Sequence, residues 1–149
     1  MINPEEVTLI IPHLGKTQEQ VEAVRLCYES LKRTVPRMPM VIIQNSWEKK
    51  DNYNFAQIHL LEQGQCKAVN AGAATVRTKW LFVTNDDMVY PEGWFERLTE
   101  PISSYDISCM SPQLVEPIDG APYFIKHFCG GVGGDFNLDK FLEFARNHK

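Results

Sequence analysis

The chain has 149 residues, 44% hydrophobic and 23% charged, with 15 Lys+Arg against 19 Asp+Glu and a net charge of -4. That balance is that of one globular domain with its own core, and it excludes disordered, collagen-like and disulfide-framework chains. The charge has the wrong sign for a nucleic-acid footprint, and no stretch approaches the ~20 apolar residues of a membrane span.

Val7-Thr8-Leu9-Ile10-Ile11 is a β-branched run closed by Pro12, the pattern of a short buried strand. Thr17 through Gln20 then form a capping box, and Val21, Val24, Tyr28 and Leu31 follow at helical spacing until Pro36 stops the helix. Met40 to Ile43 predict a second strand and Ile58 to Leu61 a third. The small residues from Cys66 to Val76 predict a helix lying close on a sheet, and Trp80 to Val83 a fourth strand. Pro91 suits the first turn of a helix carrying Trp94, Phe95 and Leu98. Periodicity then fades until Leu138, Phe141, Leu142 and Ala145 mark a last amphipathic helix.

Apolar runs that are continuous rather than alternating, in the order strand, helix, strand, strand, helix, strand, predict an α/β fold. Its sheet is mainly parallel and Rossmann-like, with helices on both faces. Residues 1–99 form the organised half, and 100–149 a shorter segment ending in a helix. Met1-Ile2-Asn3-Pro4 lacks a basic and apolar leader, and the four cysteines include no Cys-x-x-Cys pair. Both features predict reduced thiols and a cytoplasmic protein.

Ligands of an open parallel sheet bind beyond the carboxyl ends of its strands. Those ends carry Pro12-His13-Leu14-Gly15, Gln44-Asn45-Ser46, Gln63-Gly64-Gln65 and Asn85-Asp86-Asp87. Adjacent carboxylates repel unless a cation neutralises them, and a hard divalent ion suits carboxylate oxygen together with substrate phosphate. In an extended segment Asn85 and Asp87 point one way and Asp86 the other; a solvated turn is the competing reading, since Asn and Asp favour turns. Three further features carry less. His127-Phe128-Cys129 with His148 matches no zinc spacing. Gly130, Gly131, Gly133 and Gly134 form no phosphate loop. Trp47, Tyr53 and Phe55 suit stacking on a base or sugar no better than covering a sheet edge.

Four segments together resemble family 2 glycosyltransferases. Trp80 through Leu98 is similar to the family's acidic-motif strand and the Pro-x-Gly-Trp helix start that follows it. Val7 to Pro12 resembles the opening strand, and Met40 to Ser46 the second strand with its polar end. Gly64-Gln-Cys-Lys-Ala-Val-Asn-Ala-Gly72 resembles the family's Gly-x-x-x-Ala-x-Asn-x-Gly helix. The resemblance implies a GT-A fold and an inverting transfer of sugar from a nucleotide-diphospho-sugar to a hydroxyl of a glycan, lipid or protein acceptor. It implies that Pro12 and His13 lie beside the base or ribose, that Gln44 and Asn45 face the base, and that Lys67 and Asn70 border the nucleotide. Asp86 is then directed at the ribose or donor sugar, while Asp87 with Asn85 holds Mn²⁺ or Mg²⁺. Gln44 stands where many relatives have an aspartate, and Asn85 is a weaker ligand than aspartate. The chain is also shorter than most family catalytic domains. Asp135, in Gly133-Gly134-Asp135-Phe136, is the candidate general base, against a plain turn aspartate. The alternative function is a nucleotide-sugar-binding module without turnover, or part of a longer transferase. A nucleotidyltransferase is disfavoured because Pro12 to Lys16 is too short and too poor in glycine for its loop.

Overall fold

The computed structural model describes residues 2–45, 57–60, 63–104, 109–111, 115–116, 125–126, 129 and 135–147. The aromatic residues Trp47, Tyr53 and Phe55, the residues His127, Phe128 and His148, and the glycines 130, 131, 133 and 134 lie outside them, so those readings are not addressed.

Strand β1 (Val7–His13) is buried at every position, which requires neighbours on both edges and cover on both faces. β2 (Met40–Asn45) and β4 (Trp80–Val83) flank it, and β3 (Gln57–Leu60) adds to β2, giving the order β3-β2-β1-β4 with every pair parallel. Such a sheet needs helices on its faces. Helix α1 (Gln18–Thr34) is opened by a Thr17–Gln20 capping box, as the sequence predicts. Its Val24, Cys27 and Leu31 pack on Leu9, Ile11 and Ile42, beside Trp94 and Phe95 of α3 (Trp94–Ser104). The opposite face is covered by α2 (Gln65–Ala73), whose Ala68 meets Ile10 and Ile43. Beyond this body, β5 (Val115–Glu116) pairs with β6 (Ile125–Lys126) in parallel, and α4 (Leu138–Asn147) is the last helix.

Several boundaries differ from the sequence reading: β2 runs to Asn45 rather than Ile43, β3 spans Gln57–Leu60 rather than Ile58 to Leu61, and three more have a local cause. β1 runs through Pro12 to His13 rather than closing at Pro12. Leu9 N donates to Pro39 O on the β2 side, whereas Ile10 O accepts from Thr84 N on the β4 side. Successive residues therefore face alternate edges, and Pro12 turns its missing donor toward an edge where β4 has already ended. No ladder bond is lost. Helix α2 ends at Ala73, where the Thr75 hydroxyl donates to Gly72 O at 2.7 Å and turns the chain. α3 starts at Trp94, leaving Pro91 outside it. Gly93 has φ +73°, which no right-handed helix accommodates.

Candidate functional site

The carboxyl ends of the strands converge on one cavity of about 580 Å³. Pro12 and His13 line it from β1, Asn45 from β2, and Asn85, Asp86 and Asp87 from the segment after β4. Gln63, Gly64 and Gln65, the approach to α2, form another wall, with Ala68 and Gln20 contributed by α2 and α1.

His13 is fully buried and its Nδ1 lies 2.6 Å from Asp86 Oδ2. A contact that short fixes both the ring and the carboxylate. Gly15 makes room for the ring: it has φ +63°, and a Cβ there would stand 2.7 Å from His13 Nε2. The loop after β1 can thus fold back over the imidazole only with glycine. Side chains also tie the cavity walls to one another. Asn45 Nδ2 donates to Gly64 O at 2.7 Å, Gln65 Nε2 to Asn85 Oδ1 at 3.2 Å, and Lys16 Nζ to Gln63 Oε1 at 3.5 Å.

The acidic segment is a turn at Asp86–Asp87 rather than an extended strand end. β4 stops at Val83, and the next three residues are drawn apart by different partners. Asn85 goes to Gln65, and Asp86 to His13. The alternating directions expected of an extended segment do not apply, yet all three residues still line the cavity. Burial, and then the charge of Asp86, push the Asp87 carboxyl above the usual carboxylate range. Among the described residues no cation pairs with it, and no cluster of three or more His, Cys, Asp or Glu side chains is arranged for a metal. The residues that could hold one are Asp87 and Asn85, whose Oδ1 already accepts from Gln65. That set is sparse and all oxygen, which fits a Mg²⁺ or Mn²⁺ ion that completes its shell with water and phosphate, and does not fit a closed zinc site.

Beneath the turn, Cys27 of α1 is fully buried, and its Sγ donates to Asn85 O at 3.7 Å. Burial pushes this thiol up to about 12, so it remains a protonated donor. Ser30 Oγ accepts from Tyr90 N at 3.2 Å, Tyr90 OH bonds Thr84 Oγ1, and Trp94 Nε1 donates to Thr34 Oγ1 at 2.9 Å.

The other sequence candidates sit elsewhere. Gln44 is fully buried, in register between His13 and His59, and neither of its amide atoms has a partner among the described residues; it does not line the cavity. Lys67 and Asn70 are exposed on α2, outside the lining, as is Asp135 ahead of α4. Gln20 was legible only as a capping residue. Cys27 and Ser30 gave no signal beyond the apolar periodicity of α1, because their partners lie some 60 residues away.

No curated protein and no solved structure matches the chain significantly. The profile described as "Glycosyl transferase family 2" matches residues 39–127, more than half of the chain and the part that holds Asn45, the approach to α2 and the acidic turn. With its parallel α/β sheet and the polar strand ends gathered on one cavity, the chain belongs to glycosyl transferase family 2.

Proposed function

We propose that the cavity binds a nucleotide-diphospho-sugar with a divalent cation at Asp87, and that the chain takes part in inverting transfer of the sugar to an acceptor hydroxyl. The observation that carries this reading is the joining of Asn85, Asp86 and Asp87 with the ends of β1 and β2 in one cavity. Its volume falls within the usual range for sites that bury a small molecule. Asp87 and Asn85 would hold Mn²⁺ or Mg²⁺; when bound, the cation stabilises negative charge developing on the departing nucleoside diphosphate.

The chain's own residues have distinct tasks in this reading. His13 holds one oxygen of Asp86, which leaves the other for a ribose or sugar hydroxyl. Asn45 uses its amide N–H on Gly64, and its Oδ1, without a partner among the described residues, is an acceptor for a donor group of the nucleotide. Gln44 lies behind this wall, so its contribution to base choice is through the backing of His13. Lys67 and Asn70, exposed on the adjoining helix, reach the nucleotide only with the donor seated across α2. Asp135 remains the proposed base for the acceptor hydroxyl.

The test is calorimetry with a panel of nucleoside diphosphates, with and without Mn²⁺. At least one should bind more tightly with Mn²⁺, and Asp87→Ala should lose that Mn²⁺-dependent part while melting within a few degrees of the wild type. Unchanged Mn²⁺-dependent affinity in Asp87→Ala overturns the site. A donor that binds but is neither hydrolysed nor transferred leaves a binding module in place of a transferase.

A further inference from the structure

We infer that Cys27 is a positioning residue: with Ser30 it bridges the two ends of the segment Asn85–Tyr90 from one face of α1 and so sets the direction of the Asp87 carboxylate. This rests on the reading of Asp87 as the cation's ligand. The thiol gives its hydrogen to Asn85 O at 3.7 Å and Ser30 Oγ accepts from Tyr90 N at 3.2 Å, so one face of α1 spans the turn that carries both aspartates. Asn85 and Met88 are the flanks of that turn, and neither belongs to a helix or strand that would fix it.

The rest of α1 extends the same brace. Ser30, one turn further along the helix, is 2% exposed; it accepts from Tyr90 N and donates to Cys27 O at 2.8 Å. Thr34 accepts from Trp94 Nε1 and donates to Ser30 O at 2.9 Å. Positions 27, 30 and 34 share one helical face, so a rigid capped helix carries the segment between β4 and α3. The sheet alone does not do this, because β4 ends at Val83.

A buried cysteine can also be mere packing, since Cys27 belongs to the apolar core under β1. Two substitutions separate the roles. Cys27→Val keeps apolar volume and removes the bridge; Cys27→Ser keeps a donor and acceptor and loses volume. The probe is Mn²⁺ alone, followed by loss of the free aqueous Mn²⁺ signal in electron paramagnetic resonance. Positioning predicts Mn²⁺ binding weakened roughly three- to tenfold in Cys27→Val, the usual worth of one hydrogen bond, and closer to wild type in Cys27→Ser. Packing alone predicts the reverse order and overturns the proposal. Ser30→Ala, which leaves the Tyr90 N–H unpaired, gives a second measure and should weaken Mn²⁺ in the same direction. Amide exchange at Asp87 and Met88 should quicken in Cys27→Val as the turn loosens, and unchanged exchange there overturns the bridge whatever the affinity does. Wild type that binds Mn²⁺ neither alone nor together with a nucleoside diphosphate removes the cation from the proposed function and the positioning role with it. Wild type that binds, alongside a Cys27→Val that binds equally well, overturns the positioning role only.

Discussion

Asp87 is desolvated beside the cavity and repelled by Asp86, so its carboxyl takes up a proton more readily in the folded chain than in the unfolded one. Stability therefore falls as pH rises from the ordinary carboxylate value through the raised folded value, and the whole penalty is present at neutral pH. Asp87→Asn should then melt above the wild type at pH 7 in the presence of a chelator. The difference should close as acid protonates the wild-type side chain, and the variant should lose Mn²⁺-dependent nucleotide binding throughout. Melting curves across pH check this; a variant that melts lower than wild type at neutral pH contradicts it. At this scale the sequence showed the aspartate pair because two like charges at a strand end demand a partner. It could not show that His13 is that partner for Asp86, since the contact joins residues 73 apart and depends on Gly15 letting the loop fold back. Nor could it show that Gln44, at the end of β2, is enclosed completely, because the enclosing strands β1 and β3 come from elsewhere in the chain.

Elements were easier to read than contacts, because caps and apolar runs are local. The Thr17 box starts α1 as expected, and β4 has the predicted limits. The small residues of α2 also meant what they suggest. Gly72 lets the helix lie on the sheet, and a Cβ there would stand 2.7 Å from Ile43 Cδ1 and 2.9 Å from Ile10 Cγ2. Replacing glycine by alanine inside a helix ordinarily gains about 0.5–1 kcal/mol. Ile10 and Ile43 are both fully buried and have no room to give, so the overpacking cost of about 1–3 kcal/mol prevails. Gly72→Ala should lower the melting temperature by several degrees in calorimetry. A rise would mean that α2 can lift from the sheet without loss. Because Gly64 and Gln65 lead into this helix and line the cavity, the variant should also weaken nucleotide binding.

Across the whole molecule, the organised part is the four-stranded sheet and the three helices on it, and this part was legible because parallel strands buried on both faces read as unbroken apolar runs. Beyond residue 100 only α4 announced itself, through Leu138, Phe141, Leu142 and Ala145, and the short β5–β6 pair left no pattern to find. The sheet is covered unevenly. Trp80 and Phe82 of β4 turn toward the α1 face, and pack against its core. Leu81 and Val83 turn to the face of α2, which covers Ile10 and Ile43 but leaves these two 44% and 41% exposed. Among the described strands β4 is an edge strand beside β1, and it carries exposed apolar side chains, a combination that favours aggregation. Leu81→Thr with Val83→Thr keeps β-branched residues in the strand while removing apolar surface. Surface changes of this kind shift stability by about 0.5 kcal/mol or less each. The double variant should therefore melt within about 3 °C of the wild type and scatter less light when concentrated. Phe82→Ala, on the opposite face, should instead lose about 3 kcal/mol in denaturant unfolding, because it opens a gap beside Tyr90 and Trp94. If the threonine pair cost as much as Phe82→Ala, the α2 face of β4 would have to be part of the packed core, and its exposure would not be a property of the folded chain.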